Sequence, residues 1–113
     1  MRDSLQQNQL DATTLLSDVK TLLLAVYGAR LRGVLLYGSF ARGEAVPSSD
    51  MDVLVLLSGP ISLAQDLRTI IHALYPLQLE IGRPIHAMPV DSAHFEAGAF
   101  AWFRNAKREG IQV

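Results

Sequence analysis

Apolar positions recur along this chain at two spacings, and the change from one to the other marks the elements. After a polar lead over residues 1–9, Leu15, Val19, Leu22, Leu23 and Val26 repeat at helical intervals. They predict an amphipathic helix, with Gly28 offering the left-handed residue that stops it. Val34–Tyr37 and Met51–Leu57 are short apolar runs bounded by turn residues, the pattern of buried strands joined through a loop over residues 43–49. Ser58-Gly59-Pro60 ends the second strand. Leu63, Leu67, Ile70, Ile71 and Leu74 predict a second helix lying across the sheet, closed by Pro76. A third extended region is expected from Leu77 to Val90, interrupted at Gly82-Arg83-Pro84. A last helix from Ser92 to Arg108 then carries Phe95, Ala99, Trp102, Phe103 and Ala106 on one side. No repeat, low-complexity tract or linker divides the pattern. The expectation is one α/β (α+β) domain over residues 1–113, a small sheet packed by helices.

Composition narrows the classes without naming a function. At 113 residues and 50% hydrophobic, the chain can bury a core without disulfides or a structural metal. A net charge of −1 gives no electrostatic reason to expect tight binding to a phosphate backbone, a local basic patch aside, so nucleic acid is not expected as the main partner. The absence of cysteine excludes a disulfide framework or thiolate metal site and fits an intracellular protein. The N-terminal lead is too polar for a signal peptide, and no apolar run approaches the roughly 20 residues of a membrane span. A soluble, cytoplasmic protein without membrane contact is the expectation, with self-association left open.

The chemistry gathers between the two strands. Gly38-Ser39 is followed, after ten residues, by Asp50-Met51-Asp52. In an extended strand, residues two apart share a face, so Asp50 and Asp52 present their carboxylates together. Two like charges at that spacing repel, and a divalent cation relieves them; hard oxygen donors suit Mg²⁺ or Mn²⁺, which complete their shell with water and substrate phosphates. Gly38 lets the backbone approach a phosphate with no Cβ in the way, and Ser39 adds a hydroxyl and an N–H at the start of an expected short helix. Arg42 is a candidate phosphate contact or a surface cation. An acidic pair alone is often only a solvated strand end; its combination with Gly-Ser between two apolar strands makes a metal and triphosphate site the stronger reading.

These residues resemble the polymerase β-like nucleotidyltransferase superfamily, whose members carry Gly-Ser, a spacer, and Asp-x-Asp on the next strand. Residues Leu36 to Gly43 and Ser49 to Val55 are most similar to its single-domain branch, the minimal nucleotidyltransferases (MNT), and Phe103 to Ile111 resembles an MNT subgroup. The resemblance implies a nucleotidyltransferase fold with a small mixed sheet. It implies Mg²⁺-dependent transfer of a nucleoside monophosphate, AMP from ATP, to an acceptor hydroxyl with release of pyrophosphate. Asp50 and Asp52 would hold the metal, and Gly38 and Ser39 would grip the phosphates. It also implies a protein partner, since many MNT proteins are antitoxins encoded beside a helical HEPN toxin, and some adenylylate a tyrosine on it.

A third carboxylate usually completes the superfamily site from a later strand. Aligning residues 82–88 with that pattern puts His86 where the acid should be. Glu80, between Leu79 and Ile81 on the expected strand, is the better substitute and the candidate catalytic base; Asp91 reads as a helix cap. His86 reads equally well as an ordinary strand histidine, and His72 and His94 lack ligand spacing. Phe95, Phe100, Trp102 and Phe103 read mainly as core, with a partner surface as the alternative. The irregular third position motivates a rival of another class, a binding module that keeps the fold and acts as an antitoxin by covering its partner.

Overall fold

A computed structural model describes residues 4–38, 41–43 and 50–113, with side chains from Ala12 onward. The elements run α1 (Ser4–Tyr27), a 3-10 turn (Gly28–Arg30), β1 (Leu31–Tyr37), β2 (Met51–Leu57), α2 (Leu63–Ile81), β3 (Ile85–Asp91), α3 (Ser92–Glu96), α4 (Ala101–Glu109) and β4 (Ile111–Gln112). The strands form one mixed sheet in the order β3-β2-β1-β4. β1 is antiparallel to β2 and β4, whereas β2 and β3 are parallel. A parallel pair needs a crossover, and α2 supplies it.

Helices cover both faces of the sheet, which is why β2 reads as an unbroken apolar run rather than an alternation. Met51, Val53, Val55 and Leu57 point into a core shared with Ala12, Leu16, Val19 and Leu23 of α1 and Ile70, Leu74 and Leu77 of α2. Leu54 and Leu56 point the other way, into a smaller core with Leu35, Val90, Phe95, Phe103 and Ala106. By the same alternation Asp52 lies on the face of this second core.

The second helix departs from its expected form. It does not close at Pro76 but continues to Ile81, where Gly82 caps it with its N–H on Gln78 O at 3.0 Å. A proline inside a helix loses one hydrogen bond and clashes with the carbonyl four residues back, costing about 3 kcal/mol. Carrying the helix onward buries Leu77 and packs Ile81 against the core, and each such side chain contributes about 1.5–3 kcal/mol. Burial wins. The expected strand over Leu77–Ile81 is therefore helical, and β3 begins only at Ile85. The buried stripe is also rotated from the predicted one: Leu63 and Ile71 are exposed, while Asp66 is buried beside Ile70, Leu74 and Leu77. Because Pro76 is itself exposed, Pro76→Ala should restore the helical bond and raise unfolding free energy by about 1 kcal/mol or more, measured by urea denaturation.

Asp66 is inside because a complete set of donors meets it. Arg30 Nη1 donates to its Oδ1 at 2.8 Å and Nη2 to its Oδ2 at 3.1 Å, the Tyr27 hydroxyl donates at 2.9 Å, and the Ser62 N–H at 3.0 Å. Arg30 also donates to the carbonyls of Ser58 and Pro60. The cluster ties the end of α1 to the end of β2 and the start of α2. Burial pushes the Asp66 carboxyl up, but the bonds from Arg30, Tyr27 and Ser62 outweigh it and hold the group below its usual range.

The C-terminal region is more broken than its hydrophobic pattern predicts. The expected single helix is split into α3 and α4, and Asp91 caps α3 by accepting from Ala93 N and His94 N. A short strand that the pattern did not predict then follows. β4 pairs Ile111 with Leu36 and Gln112 with Leu35. Gly110 permits this approach, since a Cβ there would lie 2.6 Å from Ala106 O and 2.8 Å from Leu36 O. No described helix is long and apolar enough to cross a membrane.

Candidate active site

Antiparallel pairing brings the end of β1 beside the start of β2, so residues far apart in the chain meet at one end of the sheet. Tyr37 pairs in register with Asp52, and Asp52 with His86 of β3. The three form a row across three strands. Gly38 follows directly, with φ +79°, and a Cβ built on it would lie 2.8 Å from Asp52 Oδ2. Only glycine tolerates that conformation and that approach together. The Arg42 N–H donates to Gly38 O at 3.2 Å, closing a turn over Ala41–Gly43 whose Arg42 side chain is exposed. Ser39 lies outside the described residues. Gly38→Ala should therefore shift the Asp52 carboxylate, costing about 1–2 kcal/mol in stability. Urea denaturation reads the loss as a lower midpoint.

Charge is unevenly settled in this row. His86 Nε2 sits 3.1 Å from Asp50 Oδ2, an ion pair whenever the imidazole is protonated. Burial pushes the Asp52 carboxyl above its usual range; the neighbouring His86 opposes the rise and Asp50 adds to it. The Tyr37 phenol is also raised, first by burial and then by the Asp52 charge. Tyr37, Asp52, His86 and Met88 line a cleft of about 480 Å³. Tyr37 and Met88 are site residues that the sequence reading missed. Tyr37 was readable as the residue before Gly38, but its place opposite Asp52 depends on strand register.

Two carboxylates two residues apart at the start of β2, one of them raised by burial and by the other, are a donor set that a hard divalent cation fits. Among the described residues no three His, Asp or Glu side chains form a metal-binding group. A cation here would therefore take Asp50 and Asp52 and complete its shell from water and substrate. Glu80 is not brought to this pair. It lies on α2 in a groove with Asp18, Thr21 and Leu22 of α1, because the strand expected to carry it is a helix. Asp91 is engaged as the α3 cap, as its sequence context predicted. The group beside the pair is His86.

The model of the nucleotidyltransferase domain family matches residues 14–108, most of the chain. The chain belongs to this family. The resemblance read from Gly38-Ser39 and Asp50-Met51-Asp52 is borne out at that level, and the mixed sheet packed by helices is the nucleotidyltransferase fold. Two solved structures share it. A candidate nucleotidyltransferase from Sulfolobus solfataricus superposes with a TM-score of 0.65 at 16% identity, over 99% of this chain and 87% of its own. A toxin-antitoxin structure with AMP-PNP superposes with a TM-score of 0.59 at 16% identity, over 84% of this chain and 69% of its own. No curated protein matches the sequence. Within this nucleotidyltransferase domain, the Asp50–Asp52 pair stands where strand register and the Gly38 turn converge.

Proposed function

We propose that this protein is a Mg²⁺-dependent nucleotidyltransferase that moves AMP from ATP to an acceptor hydroxyl on a protein partner, an antitoxin acting on a helical HEPN toxin. The carrying observation is the Asp52 carboxylate, with Asp50 and His86 beside it, held directly against the Gly38 turn. Mg²⁺, held by Asp50 and Asp52, supplies charge neutralisation around the reacting phosphoryl group when bound. Gly38 and Ser39 hold the β- and γ-phosphates, and Arg42, on the same turn, adds a cation to them. The acceptor oxygen bonds to the α-phosphorus as the bond to pyrophosphate breaks. The acceptor's proton passes to His86, which stands 3.1 Å from Asp50, or through it to solvent. An imidazole does this without adding a third negative charge to the pair. The partner reading draws support from the toxin-antitoxin neighbour.

The histidine in the third position favours a second reading, a catalytically silent domain that neutralises a partner by covering it. ATP labelled at the α-phosphate, incubated with Mg²⁺, this chain and a helical partner, separates the two. Label on a partner hydroxyl, with pyrophosphate released, is the expected result. Neutralisation that persists in Asp50→Asn and Asp52→Asn overturns the catalytic reading in favour of the second.

A further inference from the structure

Beside the cleft runs an apolar groove of about 430 Å³, between α4, β3 and the segment before α2, lined by Pro60, Ile61, Met88, Val90, Phe100 and Trp102 among others. Two of its rings are left open, Phe100 at 57% and Trp102 at 44% exposure. Leaving such rings in water is unfavourable, and a planar ligand is one way to cover them. The groove continues the cleft. Met88 lines both, and it lies two residues past His86 on the same strand face, a step of about 7 Å. The Trp102 ring is 6.3 Å from Tyr37 and 4.5 Å from Phe103, centroid to centroid. Phe103 is buried and packs on Phe95 at 5.6 Å, so the indole rests on a fixed support.

A ligand filling cleft and groove together carries phosphates at one end and a flat apolar surface at the other. The order β3-β2-β1-β4 gives the direction. The Gly38 turn follows β1 on one side of Asp52, while the groove opens at β3 on the other. A phosphate chain running from the turn across Asp52 delivers its nucleoside to the β3 side. We propose, resting on the nucleotide reading of the cleft, that this groove is the nucleobase subsite, with the base stacked on Trp102 and flanked by Met88 and Phe100. Recognition is by stacking rather than by reading base edges. The polar side chains at the groove are Asp91 and His94, and Asp91 Oδ1 already accepts from the start of α3. Stacking is tolerant of base identity, so ATP and GTP should bind within about threefold of each other.

Trp102 is the single tryptophan, so tryptophan fluorescence arises at the groove. With Mg²⁺ present, a non-hydrolysable ATP analogue should quench it. Inorganic tripolyphosphate should leave it unchanged while displacing the analogue. By calorimetry Trp102→Leu should weaken the analogue roughly tenfold, the fold-change one base–aromatic stack is worth, with tripolyphosphate affinity unchanged. Phe100→Leu, at the more exposed ring, should give a smaller loss in the same direction and serves if the tryptophan variant does not fold. Tripolyphosphate binding as tightly as the analogue, or analogue affinity unaltered in both variants, overturns the subsite and leaves the triphosphate cleft standing. Binding of neither ligand overturns the nucleotide reading of the cleft and the subsite with it.

Discussion

Asp52→Asn should lower nucleotidyl transfer by at least about a hundredfold, the scale of losing one preorganised electrostatic group, while the metal-free protein melts at the same temperature or higher. The two effects have one cause. Burial, with Asp50 adding to it, holds the Asp52 carboxyl above its ordinary value. As pH rises, the unfolded chain therefore ionises Asp52 first. Above about pH 4 the unfolded state then binds fewer protons than the folded one, so this group's contribution to stability falls through the raised folded value. At neutral pH the folded state holds a carboxylate it would rather protonate. An amide removes that cost and the ligand together. Mg²⁺ should accordingly raise the Tm of the native protein and leave that of Asp52→Asn unmoved. Calorimetric scans with and without Mg²⁺, beside a radiolabel transfer assay, read both. A variant that melts well below the native protein would mean that Asp52 serves the fold rather than the site.

Asp66→Ala should cause the largest loss of stability, about 3 kcal/mol, or a Tm lower by roughly 10 °C or more. Asp66 is 3% exposed, and its removal takes the carboxylate from the Ser62 N–H, the Tyr27 hydroxyl and the Arg30 guanidinium, leaving Tyr27 only the residue 66 carbonyl and Arg30 only the carbonyls of Ser58 and Pro60. Arg30 is partly exposed, so water recovers some of its hydration and keeps the loss from being greater. The pH profile carries the same signature. Asp66 has a folded value below its unfolded one, so its contribution is complete above about pH 4 and disappears as pH falls through the folded value. Tyr27 is shifted the other way, to about 12, by burial and by the bond to Asp66. Its contribution is complete below about pH 10 and is lost as pH climbs toward the folded value. In Asp66→Ala both the acid and the alkaline slopes should flatten, as followed by denaturant midpoints across pH. The site lies at the opposite end of β2, so nucleotide affinity of the folded variant should be unchanged.

The elements that were legible in the sequence are those whose signal is local. α1 and its stop at Gly28 and the two apolar strands follow from periodicity over a few residues. Pro76 and the stretch to Ile81 were misread because a proline is a strong local stop, while the gain from burying Leu77 and packing Ile81 comes from a core assembled elsewhere. That single misreading also placed Glu80 on a strand. β4 was invisible because two residues carry no period, and only the row of open β1 bonds gives them a partner.

The sequence by itself determined the family and the fold class, and it placed Gly38 and Asp52 at the adjoining ends of β1 and β2, because the Gly38 turn and the strand boundaries act through backbone geometry over a few bonds. Tertiary structure alone decided that Glu80 stands away from the carboxylates on α2, and that Tyr37 lines the cleft while Trp102 lines the groove beside it. Those neighbours depend on strand register and on which face each helix buries. Both are set by the burial of side chains far apart in the chain, and no local pattern encodes them.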